Sequence, residues 1–189
     1  MHIVLASTSS RRAAILRAAG YTFSTCSPDC QEERATSTSD PEALALSNAT
    51  RKAEAVLSLQ TDPNAVVIGC DTVVLCKGDI YEKPRSRDEC TSFISRFSGE
   101  QVSVVTAMAI RGARVRDSIS KTLFFFRTIS QSEITEYTNT SEPYDKAGGL
   151  SYQGWASRWI TRIEGDYHGA VGLPISILAE TLASTSEHK

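Results

Sequence analysis

The sequence predicts an α/β domain on a mixed sheet, with an α+β arrangement as the alternative. Three observations support this prediction. Strand-like and helix-like segments are intermixed along the chain, and two β-rich runs flank Gly112 as in a long hairpin. The segment Ala65–Cys76 is apolar on both sides of one polar interruption, as in a buried strand. A length of 189 residues fits one domain.

The elements of the first half are predicted from apolar runs and helix signals. Residues 3–6 form a strand, and residues 11–19 form a helix that Ser9 or Ser10 caps with its hydroxyl. The further predicted elements are a strand at 22–26, a loop at 27–39, a helix from Asp40 to about Leu59 and the strand Ala65–Cys76, with Ile80 and Tyr81 pairing back onto it.

The second half begins with a helix at 86–97, which is followed by the hairpin. Its two strands are predicted at 101–110 and 115–127. Ser130 precedes Glu133 by three residues, as in a capping box, and predicts a helix at 130–137. The remaining predictions are a loop at 138–154, a strand at 159–163 and a closing helix at 174–182.

The composition excludes several classes of protein. A content of 41% hydrophobic and 22% charged residues excludes a disordered, collagen-like or coiled-coil chain. The formal net charge of −2 argues against binding to a nucleic-acid backbone, so an anionic ligand needs a local cationic pocket. No apolar run approaches the roughly 18 residues of a membrane span. Five cysteines without a C-x-x-C pair indicate reduced thiols in a cytoplasmic compartment rather than a zinc site.

The N-terminal segment has two interpretations. Residues 1–28 contain three arginines, many Ser and Thr and no acid, which is typical of organelle transit peptides. The strand and helix predicted in the same residues indicate instead that the domain begins at once, and we favour this interpretation.

The usual signatures of catalysis are absent, namely G-x-x-x-x-G-K-[ST], G-x-G-x-x-G, H-E-x-x-H and G-x-S-x-G. The first informative segment is LASTSSRR, where hydroxyls, including those of Ser7 and Ser9, and two arginines stand at a helix N-terminus. Such a terminus favours anions, and Arg11 and Arg12 are candidate phosphate clamps. The alternative is a capping serine with solvated arginines.

Asp71 interrupts the apolar strand Ala65–Cys76. A carboxylate is costly to bury unless it is paired or binds a metal. Aspartates on strands hold Mg²⁺ or act as general bases. A strand-end Asp that faces solvent, or a bulge, is the alternative, and the flanking apolar runs weaken it.

Other candidates have simpler explanations when they are taken singly. Glu82 and Lys83 follow a predicted strand, as a surface ion pair also would. Lys52 lies among apolar helix residues, where lysines usually extend their charge to solvent. The glycine-rich residues 141–154 line a pocket or form only a loop. The carboxylates Glu32, Asp71 and Glu82 and the cations Arg11, Arg12, Lys52 and Lys83 together form the set that metal-assisted phosphate chemistry uses.

The order of these motifs resembles the Maf family of nucleoside triphosphate pyrophosphatases. LASTSSRR resembles the family's L-A-S-x-S-P-R-R, and LSNATRKAEAV resembles its helix with Lys-Ala. GCDTVV, EKP, VTAMAI, SEPYDKAGG, YQG and VGLPI follow in the family's order as far as Ile175. Ser10, Gln31 and Leu150 depart from the family's Pro, Asp and aromatic residue, and none of the three removes a charged candidate.

The resemblance implies hydrolysis between the α- and β-phosphates of a nucleoside triphosphate, with removal of modified nucleotides as the role. It implies that Asp71 is the general base and that Glu32 and Asp71 hold Mg²⁺ or Mn²⁺. It implies a single domain over residues 1–189, with an elongated twisted sheet flanked by helices and two lobes around a central cleft. It also implies homodimers. The substrate site would comprise Ser7, Ser9, Arg11, Arg12, Lys52, Thr72, Lys83 and Gln153.

Three of these positions carry the implied specificity. Arg11, Thr72 and Gln153 resemble the family's dTTP/UTP branch, which includes 5-methylated pyrimidines as substrates. The amide of Gln153 has both a donor and an acceptor for a pyrimidine edge. Two alternatives stay open. One is a regulator of cell division that binds a partner or nucleic acid, and the other is a pyrophosphatase for purines such as ITP or XTP.

Overall fold

The computed structural model describes residues 2–36 and 38–183. Within them, seven strands form one sheet in the order β2-β1-β3-β5-β6-β7, and β4 pairs with β3. The strands are β1 His2–Ala6, β2 Phe23–Cys26, β3 Ala65–Cys76, β4 Asp79–Tyr81, β5 Gln101–Gly112, β6 Arg116–Phe126 and β7 Ile160–Gly165. The helices are α1 Ser10–Ala18, α2 Pro41–Leu57, α3 Arg87–Phe97, α4 Gln131–Thr138, α5 Tyr167–Val171 and α6 Ile175–Ala183, with 3₁₀ turns at Ala147–Gly149 and Trp155–Trp159.

The sheet is mixed, and β3 is the strand where its two halves meet. β1 runs parallel to both β2 and β3. β3 pairs antiparallel with β5, which continues antiparallel into β6 and β7. The predicted α/β class and mixed sheet are therefore confirmed.

One edge of β3 is open in the middle. β1 pairs with it as far as Gly69, and β4 pairs with it from Val74 onward. Between these two partners, no described strand covers the edge at residues 70–73, whereas β5 covers the other edge. The C-terminal end of β1 and the following Ser7 lie beside this gap, so polar loops converge on it.

Helix α2 packs directly on β3 because β3 has a glycine at the contact. A Cβ at Gly69 would lie 2.2 Å from the carbonyl oxygen of Ala49 and 2.7 Å from the amide nitrogen of Ala53. Alternate residues of a strand share a face, so Asp71 faces the same helix as Gly69. The close packing thereby brings Lys52, which directly precedes Ala53 on α2, to the strand.

The helices divide between the two faces of the sheet. α1 and α6 pack on one face, on residues that include Ile68 and Cys70. α2 packs on the other, on residues that include Val67 and Val73. A third core joins α3 and α4 to the far end of β3 and to Phe124 and Trp159.

Most predicted elements are present within two or three residues of their predicted bounds. The capping box of α4 is present, and Ser9 caps α1. The sequence interpretation missed α5, whose five residues are too few to show a helical period. β1 lies between β2 and β3, so the arginine-rich N-terminal residues belong to the folded core. None of the helices in the described ranges is long and apolar enough to cross a bilayer.

Candidate active site

One cleft of about 1280 Å³ opens at the gap in the sheet. It is lined by residues from β1 and β3, from α2, from the segment after β4 and from the loop after α4. All ten residues predicted from the sequence line it: Ser7, Ser9, Arg11, Arg12, Glu32, Lys52, Asp71, Thr72, Lys83 and Gln153. The roles assigned to them stay predictions.

A buried ion pair lies at the base of the cleft. Lys52 Nζ is 2.6 Å from Asp71 Oδ1 and 3.1 Å from Glu32 Oε1. The side chains of Lys52 and Asp71 are 7% and 12% exposed, whereas that of Glu32 is 55% exposed. Asn48, one turn before Lys52 on α2, donates to Asp71 Oδ2 at 3.3 Å. The structure therefore pairs the buried Asp71 and leaves Glu32 facing the opening.

The loop that carries Glu32 is held to α2 through Asn48. Asn48 Oδ1 accepts from the amide of Glu33 at 2.7 Å, and Asn48 Nδ2 donates to the carbonyl of Glu33 at 3.0 Å. Glu82 contributes a second tie, because its Oε1 accepts from the amide of Ala35 at 3.1 Å. Glu32 therefore stands on a loop fixed from two sides.

Arg12 lies on the other face of β3 and makes three hydrogen bonds with its guanidinium. Its guanidinium donates to the carbonyl of Gly172 at 2.9 Å, to Ser7 Oγ at 3.2 Å and to Thr72 Oγ1 at 3.3 Å. Thr72 Oγ1 also lies 2.9 Å from Thr106 Oγ1 on β5. Arg12 thus connects α1 to β3 and to the loop after α5.

Arg11 is oriented by an acidic partner from the loop after α4. Arg11 Nη1 lies 3.0 Å from Asp145 Oδ2, and Lys146 Nζ lies 2.5 Å from Asp145 Oδ1. Partial burial alone would raise the pKa of Asp145, but hydrogen bonds from Lys146 and Arg11 outweigh it and hold this pKa below its ordinary value. Asp145 is therefore ionised at neutral pH and keeps Arg11 at the cleft wall.

Lys83 and Gln153, like Glu32, are exposed members of the site. Neither side chain has a hydrogen bond or ion pair with another residue in the described ranges. Both therefore present unpaired polar groups to the cleft.

Glu32 and Asp71 fit a divalent cation in number and type. Mg²⁺ typically takes one or two protein carboxylates, and phosphate oxygens and water complete its octahedron. Both carboxylates contact Lys52 Nζ, so the ammonium and a bound cation would compete for the same carboxylate oxygens. Among the described residues, no group of three or more acidic, histidine or cysteine side chains is arranged to hold a metal ion.

Cys70, next to Asp71, is unsuited to act as a nucleophile. It is fully buried, and this burial raises the pKa of its thiol to about 11, against the opposing effect of Arg12 and Lys52. The thiol is therefore protonated at neutral pH.

Sequence reasoning missed four polar residues that order the site: Asn48, Thr106, Glu142 and Asp145. Asn48 had a usable signal, because it precedes Lys52 by four residues and shares its helix face. Glu142 and Asp145 lie in a loop, and their partners at Trp155 and Arg11 are distant in sequence. Only the folded chain shows those contacts.

These observations define an α/β protein with a polar cleft at an interrupted sheet edge, where paired carboxylates face several cations. The chain belongs to the Maf-like protein family, whose sequence model matches residues 2–185. It is 39% identical over 178 residues to a dTTP/UTP pyrophosphatase of Vibrio vulnificus, which covers 93% of this chain and 94% of that protein. Proteins of the same name from Colwellia psychrerythraea and a Geobacillus species are each 37% identical and cover 96% and 92% of this chain.

Proposed function

We propose that this chain is a nucleoside triphosphate pyrophosphatase that hydrolyses dTTP and UTP to the monophosphate and pyrophosphate. The relatives named for that activity support the proposal, since they align with more than nine-tenths of the chain. The observation that carries it is the buried Asp71, paired with Lys52 and facing a cleft with further cations.

Asp71 is suited to the role of general base. Its Oδ1 is held by Lys52, whereas its Oδ2 has only the long hydrogen bond from Asn48. Oδ2 thus has lone-pair capacity to accept a proton from a water in the cleft. In the proposed reaction the water oxygen attacks the α-phosphorus, the bond to the bridging oxygen breaks, and pyrophosphate leaves with that electron pair.

The cations of the cleft stabilise the charge of the triphosphate. Lys83 is unpaired, and Arg11 is fixed at the wall by Asp145. Lys52 adds a third positive charge at the base of the cleft. Fixed charges in a cleft that excludes water stabilise a transition state more than they would in bulk solvent.

A divalent cation, Mg²⁺ or Mn²⁺, belongs to this proposal, with Glu32 and Asp71 as its protein ligands. When bound, it would neutralise phosphate charge and make the attacking water more acidic.

The proposal includes a single two-lobed domain, a cytoplasmic location and a homodimer. One sheet runs through all three cores, and two of these cores lie toward opposite ends of β3. All five cysteines are free thiols, which suits a reducing compartment. Light scattering of the purified protein tests the dimer.

The test is pyrophosphate release with Mg²⁺ across dTTP, UTP, 5-methyl-UTP, dCTP, dGTP and ITP. We expect the first three to be hydrolysed fastest. Faster turnover of dGTP or ITP would keep the reaction and overturn the pyrimidine assignment. No turnover of any nucleotide would contradict the proposal and favour a regulator that binds a partner.

A further inference from the structure

The carboxylate of Glu142 anchors the segment that carries Gln153. Its Oε1 accepts from Ser151 Oγ at 2.9 Å, and its Oε2 accepts from the amide of Trp155 at 3.2 Å. A Cβ at Gly154 would lie 1.7 Å from Glu142 Oε1, so the carboxylate reaches these donors because residue 154 is glycine. One side chain therefore binds the segment on both sides of Gln153.

A second anchor fixes the start of the same segment. The buried hydroxyl of Tyr137 donates to the carbonyl of Gly149 at 2.7 Å and accepts from the amide of Ser151 at 3.2 Å. The ring of Tyr152 stacks on Phe124 with 4.3 Å between centroids. The backbone around Gln153 is therefore held in place, whereas the side-chain amide of Gln153 is unpaired and faces the cleft.

Residues 142–146 of the same loop also hold Arg11 in place. The carbonyl of Glu142 accepts from Lys146 Nζ at 2.6 Å, and this ammonium contacts Asp145, the partner of Arg11. Arg11 and Gln153 lie 142 positions apart in the sequence, yet the loop after α4 orients both.

We infer that Glu142 is a positioning residue for base selection, which acts by fixing Gln153 relative to Arg11. The inference rests on the proposed function. Glu142 lines the cleft, but its carboxylate oxygens are directed to the loop donors and not left free for substrate. Loss of the hydrogen bonds of Glu142 should lower the discrimination between bases, whereas Asp71 and Lys52 lie on other elements and should stay in place.

The test compares Glu142→Gln with Glu133→Gln. Glu133 is a matched control, because it also accepts from a serine hydroxyl and a backbone amide, both of Ser130, and it does not line the cleft. The measured quantity is the ratio of kcat/KM for dTTP to that for dCTP. We expect this ratio to fall about tenfold in Glu142→Gln, mainly through KM for dTTP, and to stay within about twofold in Glu133→Gln.

Ser151→Ala is the second variant, because it removes one donor to Glu142 and leaves the carboxylate in place. We expect it to lower the same ratio about threefold, and it decides the question if Glu142→Gln does not fold. An unchanged ratio with rates that fall in parallel for both nucleotides would overturn the inference alone. A wild type without turnover would overturn the proposed function and, with it, the inference.

Discussion

Lys52 and Asp71 belong to different elements but form one buried ion pair, with Lys52 Nζ 2.6 Å from Asp71 Oδ1. The pair depends on Gly69, which lets α2 lie directly against β3. Removal of one partner from a buried pair leaves the other charge without compensation, which commonly costs about 3–5 kcal/mol. Removal of either partner of this contact should therefore destabilise the fold.

A double-mutant cycle measures this coupling. We expect Lys52→Met to lower the free energy of unfolding by about 3 kcal/mol, and the double variant Lys52→Met/Asp71→Asn to be more stable than the sum of the single effects by at least ~1 kcal/mol. Urea denaturation provides the values. The exposed pair Arg96–Asp79 is the control, and its coupling should be below about 1 kcal/mol. Additive effects at Lys52 and Asp71 would contradict a buried, coupled pair.

Gly69→Ala tests whether the helix contact positions the site. The added Cβ would overlap the backbone of Ala49, so we expect a loss of about 1–3 kcal/mol in stability and a fall in kcat as Lys52 moves away. Gly20→Ala is the control, because its Cβ meets nothing within 4 Å and its φ of +81° costs stability through the backbone alone. Normal kcat in both variants would show that the α2 contact does not set the geometry of the site.

Removal of divalent metal should stop the proposed reaction. We expect EDTA to abolish pyrophosphate release and added Mg²⁺ or Mn²⁺ to restore it. Glu32→Gln should raise the Mg²⁺ concentration needed for half-maximal rate by about tenfold, since one of two carboxylate ligands is lost. Full turnover in EDTA would refute the metal assignment.

Glu133 predicts a pH dependence of stability away from the cleft. Hydrogen bonds from Arg127 and from Ser130 lower the pKa of Glu133 from 4.5 to about 2. Because the folded-state pKa is lowered, the stabilisation is present above about pH 4.5 and is lost as the pH falls toward 2. The difference in Tm between wild type and Glu133→Gln should therefore be present at pH 7 and shrink between pH 4.5 and 2. A difference that stays constant over that range would contradict the assignment.

The sequence predicted the sheet elements well because their signals are local. The apolar run around Asp71 and the hairpin about Gly112 each carry their own pattern of burial and turn residues. The opposite directions of Asp71 and Thr72 also follow from the two-residue period of a strand, and the contacts to Lys52 and Arg12 agree with it.

The contacts within the site are harder to predict from the sequence. The sequence predicts that Arg12 clamps phosphate, yet each nitrogen of its guanidinium donates to a protein acceptor. The role of Glu142 depends on a loop closing onto Trp155, which no periodicity indicates. Apart from the bond of Arg12 to Ser7, these contacts join residues that are distant in sequence, and only tertiary structure determines which polar groups meet.

In the proposed function, Asp71 promotes cleavage between the α- and β-phosphates. The most direct measurement is chromatographic analysis of the products formed from dTTP and Mg²⁺ by the wild type and by Asp71→Asn, which keeps the side-chain shape and removes the base. We predict dTMP and pyrophosphate in equal amounts from the wild type, and a rate at least about a hundredfold lower from Asp71→Asn. Formation of dTDP and phosphate would contradict the proposed reaction, and turnover by Asp71→Asn within about tenfold of the wild type would contradict the role of Asp71.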